Sequence, residues 1–181
     1  MIVTLMGFMG CGKSSVGREL ARLLCCPFMD LDEVIEGAEG RSIPEIFASD
    51  GEAAFRRMEA EHLQTLLDSN NVASVVALGG GTVMTRECAE MVREKTTCIY
   101  LRASVETLAG RLADQADGRP LLAGTSLRGA QRRSNLQGRI EEMLALRSGT
   151  YEQTAHMVID TDGKSIADIA MEIHRNIEKI S

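Results

Sequence analysis

Five short stretches, residues 2–6, 27–31, 72–78, 97–101 and 157–160, are apolar almost without interruption rather than alternating apolar with polar. Strands buried on both faces read this way, and such burial is the usual condition of a parallel sheet. Helix-length segments lie between and after them, at 14–24, 51–67, 85–94, 104–114 and 165–180. The last has the plainest helical period, because Ile166, Ile169, Ala170, Ile173, Ile177 and Ile180 make one stripe suited to packing on a sheet. Strands alternating with helices predict an α/β fold. Ser42-Ile43-Pro44-Glu45 carries a capping-box signature with proline in the first turn, so a short helix should start there and end near Asp50-Gly51. Residues 115–139 break the pattern: Gly, Arg, Ser and Gln dominate, with Arg119, Arg128, Arg132, Arg133 and Arg139 among few regularly spaced apolar positions. Most of these arginines are expected in solvent.

The chain has 181 residues, of which 44% are hydrophobic. That is enough for one core, and a single domain over 1–181 is expected. Twenty Lys and Arg against 26 Asp and Glu give a net charge of −6, which argues against a nucleic-acid partner held by bulk charge. An anionic ligand must then be met by local arginines. The 5 cysteines are odd in number, and Cys25 adjoins Cys26, a pattern that fits a reducing cytoplasm better than a secreted disulfide framework. No signal peptide is recognisable, and no apolar run approaches the roughly 20 residues of a membrane-spanning helix. With 2 Tyr and no Trp, an adenine is expected to meet arginine and apolar contacts rather than a large aromatic platform.

Candidate chemistry begins at Gly7-Phe8-Met9-Gly10-Cys11-Gly12-Lys13-Ser14, which fits G-x-x-x-x-G-K-[ST] between an apolar strand and a helix. That context predicts a phosphate-binding loop for ATP or GTP, its backbone N–H groups and the helix N-terminus aimed at phosphate oxygens. Lys13 supplies a point charge to the β- and γ-phosphates, and Ser14 offers its hydroxyl to Mg²⁺. Cys11 fills an unconstrained position of the motif. The third apolar run ends in Gly79-Gly80-Gly81, where a carboxylate is usual, so another backbone or a ligand should come close there. The missing carboxylate is sought in Asp30 and Asp32, which project to one side if the second strand continues through them. Arg56 is able to grip a carboxylate bidentately. Together with the aspartates it suggests a small polyhydroxylated acid as phosphoryl acceptor. An arginine-bearing lid over about 115–128 would exclude water.

These separated motifs, together with Gly51-Glu52, Phe55-Arg56-Arg57, Arg119-Pro120-Leu121-Leu122 and Arg147 followed by Tyr151, closely resemble the shikimate kinase family through nearly the whole chain. The resemblance implies transfer of the γ-phosphoryl of ATP to the 3-hydroxyl of shikimate, on the way to chorismate and the aromatic amino acids. It implies a nucleoside monophosphate kinase-like fold, with a five-stranded parallel sheet in the order 2-3-1-4-5, a helical substrate region after strand two, and a lid. By the same resemblance Gly10, Cys11, Gly12, Lys13, Ser14 and Ser15 cradle the phosphates, and Asp30 supports a Mg²⁺ held by Ser14. Asp32 contacts the reacting hydroxyl, and Arg56, Gly80 and Arg147 bind shikimate. Arg119 reaches the ATP phosphates, and Lys164 lies near the adenine. A monomer is expected. Where the family usually has proline and leucine between the last arginine and tyrosine, this chain has Ser148-Gly149-Thr150, a link expected to be less stiff, and the interval from Arg119 to Arg147 looks longer than usual. Another small-molecule kinase of this fold, acting on gluconate or a nucleotide, and a slow nucleotide-dependent switch are the alternatives.

Overall fold

The computed structural model describes residues 1–69, 73–113 and 130–179, the side chains of 130–134 excepted. Among the described residues, β1 (Ile2–Met6), β2 (Phe28–Asp30), β3 (Ser74–Ala77), β4 (Thr97–Arg102) and β5 (Met157–Asp160) form one parallel sheet in the order β2-β3-β1-β4-β5. This is the expected order. β1 runs down the middle, with Val3 opposite Val75 on one side and Thr97 on the other. Its apolar run is continuous because both faces are covered: Val3 and Leu5 enter one core cluster, Ile2 and Met6 the other.

The helices are α1 (Lys13–Leu23), α2 (Leu31–Glu39), α3 (Ile43–Ser69), α4 (Arg86–Lys95), α5 (Val105–Ala113), α6 (Ala130–Thr154) and α7 (Ile166–Glu178). α1, α5 and α7 contribute to the first cluster, through Leu20, Leu108 and Ile173 among others. α2, α3 and α4 contribute Ile35, Leu63 and Val92 to the second. α7 starts at a complete capping box between Ser165 and Asp168, which fixes its first turn.

Two elements differ from the sequence expectation. β2 stops at Asp30, and α2 begins at the next residue; the apolar run continues into Leu31, where its last member is a helical core residue rather than a strand residue. α6 was not anticipated. It gives Ile140 to one cluster and Tyr151 to the other; the two lie eleven residues apart on nearly one face, but residues 130–139 are mostly polar, so the periodic signal is diluted where the helix begins. Ser148, Gly149 and Thr150 lie within α6, so the link between Arg147 and Tyr151 is helical rather than slack. The expected lid segment at 115–128 lies outside the described residues.

The helix starting after Ser42 is present, with the Ser42 N–H and hydroxyl both donating to Glu45 at 2.8 and 2.6 Å. It ends at Gly51 as expected, where the backbone leaves helical geometry at φ 81° and ψ 171°, and a second helical segment continues directly to Ser69, so α3 is two helices joined at a kink. This backbone region is essentially reserved for glycine. Nothing lies within 4 Å of a Cβ placed there, so any cost of a side chain is conformational. Gly51→Ala should lower stability by about 1–3 kcal/mol, measured as a shift in the denaturant midpoint with unchanged slope.

Candidate active site

The site lies at the carboxyl ends of β1, β2 and β3, where ligands bind in open α/β sheets. After β1 the chain turns through Gly7 to Gly12 and enters α1, whose N-cap Gly12 (φ 103°) has no capping side chain and whose first turn has no acid. The helix N-terminus is therefore open to an anion. Lys13 Nζ donates to the Gly7 and Phe8 carbonyls at 3.0 and 3.2 Å, which folds the ammonium over its own loop. Cys11, expected to be a filler, is buried in the first core cluster, and its Sγ would lie 2.9 Å from a Cβ at Gly7. It anchors the loop to the core through packing.

Arg111 was not singled out by sequence reasoning. From α5 its Nη1 donates to the Gly10 and Cys11 carbonyls at 3.3 and 3.1 Å, turning two loop carbonyls away from where an anion would sit. A contact spanning 100 residues leaves no local trace in the sequence.

The two aspartates meet here, though not as neighbours along a strand. Asp30 is the N-cap of α2 and accepts from the Asp32 N–H at 3.1 Å, while its other oxygen accepts from the Ser14 hydroxyl at 2.6 Å. Asp32 stands in the first turn of α2. The geometry is that of a capped helix start, which corrects the extended-strand argument while keeping both carboxylates beside the phosphate loop. Burial, reinforced by Asp30 and opposed by Lys13, raises the Asp32 carboxyl to about 6, with smaller upward pushes from Glu59 and Glu36. A carboxylate titrating there is well matched to receiving a hydroxyl proton near neutral pH.

At two of the three glycines after β3 a side chain would crowd the polar groups of the site. A Cβ on Gly79 would lie 2.9 Å from Asp32 Oδ1 and 3.0 Å from both Glu59 Oε1 and Thr82 Oγ1. On Gly81 it would meet Arg56 Nη2 at 2.5 Å. The Gly80 carbonyl accepts from Tyr151 OH at 2.5 Å and from Arg147 Nη1 at 3.3 Å. Tyr151 is fully buried, and burial pushes its hydroxyl up to about 12, so it remains a donor. Arg147 also places its guanidinium 5.9 Å from the Phe8 ring centroid, within the range of a cation–π contact. Arg56 and Arg147 thus flank the same turn from α3 and α6.

Glu59 was also missed. It is 1% exposed, yet each oxygen has a partner: Thr82 Oγ1 donates to Oε1 and Arg56 Nη1 to Oε2, both at 2.6 Å. Its sequence signal was available, since Phe55, Glu59 and Leu63 fall four apart on the buried face of α3, and an acid on an apolar stripe requires a partner. Lys164, expected near an adenine, pairs with Glu172 of α7 at 2.6 Å. Arg119 lies outside the described residues.

Known proteins arrange the same elements over nearly the same length. The chain is 42% identical to a shikimate kinase from Chlorobium chlorochromatii, over 98% of this chain and 91% of that protein. Its structure superposes on the shikimate kinase of Acinetobacter baumannii, solved in complex with shikimate, with a TM-score of 0.88 at 32% identity, covering 99% of this chain and 94% of the other. The Bacteroides thetaiotaomicron shikimate kinase gives 0.86 at 27%, covering 98% of both. With a family model for shikimate kinase matching residues 9–178 as well, the chain belongs to the shikimate kinase family.

Proposed function

We propose that this site transfers the γ-phosphoryl group of ATP to the 3-hydroxyl of shikimate. The observation that carries the reading is the convergence of a phosphate loop, the Asp30 and Asp32 carboxylates and two arginines on the single turn Gly79-Gly80-Gly81. A phosphoryl donor fits the loop, an acidic polyol fits the arginines and Asp32, and the turn joins them.

In-line phosphoryl transfer depends mainly on positioning and charge neutralisation. The N–H groups of residues 10–15 and the N-terminus of α1 hold the phosphates, and Lys13 meets negative charge on the transferring group. Asp32 orients the 3-hydroxyl and accepts its proton as the new bond forms. Asp30 holds Asp32 from its backbone and Ser14 from its hydroxyl. Arg56 and Arg147 hold the carboxylate of the acceptor, which sets which hydroxyl points at the phosphate. Arg119 is assigned to the ATP phosphates and Lys164 to the neighbourhood of the adenine by family resemblance.

The pair Ser14 and Asp30 fits Mg²⁺ by chemistry: a hydroxyl and a carboxylate oxygen, both hard donors, stand 2.6 Å apart beside the phosphate loop. Among the described residues no group of three or more His, Cys, Asp or Glu forms a dedicated metal cage, as suits an ion held largely by phosphates and water. Bound there, the ion would neutralise phosphate charge. The reading also carries a cytoplasmic monomer; five free cysteines support a reducing compartment, and no described helix is long and apolar enough to cross a membrane.

Each charge-assisted contact to the acceptor carboxylate is worth about 1.5–3 kcal/mol. Arg147→Ala and Arg56→Ala should therefore each weaken shikimate binding roughly ten- to a hundredfold while leaving ATP affinity nearly unchanged. Titration calorimetry with each ligand separately decides this. Arg147→Ala is the cleaner variant, because removing Arg56 also strips a partner from buried Glu59. Unaltered shikimate affinity in both would remove the proposed clamp.

A further inference from the structure

The Thr82–Glu59–Arg56 chain of contacts does more than satisfy a buried acid. Glu59 is almost completely enclosed, and its two oxygens point to two different elements, Arg56 one turn earlier on α3 and Thr82 at the start of the short 3₁₀ turn Thr82–Met84. Arg56 is thereby anchored at Nη1 and lies against the backbone of Gly81, where a Cβ would be 2.5 Å from its Nη2. Its remaining ion-pair partner, Glu52 at 3.6 Å, is largely exposed and restrains it weakly. The guanidinium also lies 5.3 Å from the Phe55 ring centroid, within cation–π range; of its ion-pair partners it is the buried Glu59 that directs it, and Thr82 directs Glu59. The same carboxylate oxygen that Thr82 holds stands within 3.0 Å of the point that Asp32 Oδ1 also approaches, the vacant side of Gly79.

We infer that Thr82 is a positioning residue for the acceptor: its hydroxyl fixes Glu59, and through Glu59 the plane in which Arg56 presents its guanidinium to the acceptor carboxylate. This rests on the reading of an acidic polyol as acceptor. Thr82 touches neither substrate. Without its hydroxyl, Oε1 of Glu59 is left buried and unpaired, a costly arrangement for an ionised group, and the carboxylate turns to find another donor. Arg56 turns with it. Because a bidentate contact needs a matched plane, a small rotation weakens recognition of the carboxylate while the phosphate loop is untouched.

The test is a steady-state comparison of wild type, Thr82→Val, Thr82→Ala and Thr82→Ser, using shikimate and its analogue with the carboxylate reduced to a hydroxymethyl group. Valine keeps the shape of threonine without the hydroxyl, alanine leaves space and serves if valine does not fold, and serine restores the donor. The expected result for Val or Ala is a rise of about five- to tenfold in KM for shikimate, a smaller fall in kcat and an unchanged KM for ATP. The preference in kcat/KM for shikimate over the analogue should shrink by a similar factor, and serine should recover most of it. Equal losses with shikimate and the analogue, or a KM for shikimate that does not move, would overturn the inference and leave Thr82 a structural residue. A wild type that phosphorylates neither compound would instead overturn the acceptor reading, and the inference with it.

Discussion

Lys13→Ala should yield a folded protein whose turnover is lower by about 10²- to 10³-fold, the loss typical of removing one preorganised group that stabilises developing charge. The ammonium donates to the Gly7 and Phe8 carbonyls of its own loop, so it is already aimed where a phosphate would sit and little reorganisation accompanies the reaction. Both hydrogen bonds are local, and the loop retains its packing through Cys11 and its cross-link to Arg111, so the fold should persist. Lys13 also holds down the Asp32 carboxyl, and its loss should shift the acid limb of the rate profile to higher pH. Turnover near that of the wild type in a folded variant would place Lys13 away from the transferring group.

Asp32→Asn should lower turnover by about 10²- to 10⁴-fold, the usual contribution of a positioned proton acceptor, and it should do so while making the protein more stable. The sign follows from the direction of its shift. The folded-state carboxyl titrates at about 6, above its ordinary value, so between the two values the folded chain binds more protons than the unfolded chain and stability falls as pH rises through that window. Above about pH 6 the penalty is fully present. Asparagine removes the charge that burial penalises, and thermal unfolding at pH 7 should show a gain of up to about 3 kcal/mol. In the wild type, kcat/KM for shikimate should fall as pH drops through about 6, since protonated Asp32 cannot accept the hydroxyl hydrogen; the variant should lack that limb. A variant as active as the wild type, or one with the same limb, would pass the role to Asp30.

The sheet was legible in the sequence because a centrally placed parallel strand has two buried faces, and that condition writes itself as an unbroken apolar run. α7 was legible because one face alone is buried and Ile169, Ile173 and Ile177 repeat at helical spacing. α6 was not, since residues 130–139 are mostly polar and Arg147, Ser148, Gly149 and Thr150 intervene before Tyr151, although Ile140 and Tyr151 share a face of the helix. The phosphate loop was readable because its chemistry is contiguous, and the glycine turn because three glycines ending a strand require a reason. Asp30 and Asp32 were identified through the wrong geometry: a strand that becomes a helix in one residue looks extended until its cap is seen. Arg111 and Thr82 had no local signal, as each acts on a residue far along the chain. Glu59 did have one, an acid on an apolar stripe, and it marks the residue to question first in a similar helix.

The central claim is tested most directly by following ³¹P resonances of the purified protein with ATP and Mg²⁺, in the presence and absence of shikimate. ADP and a phosphomonoester at the 3-position of shikimate should appear mole for mole, and ADP should form far more slowly when shikimate is left out. ADP formed at the same rate without shikimate, or phosphate carried instead to gluconate or a nucleoside monophosphate, would contradict that claim.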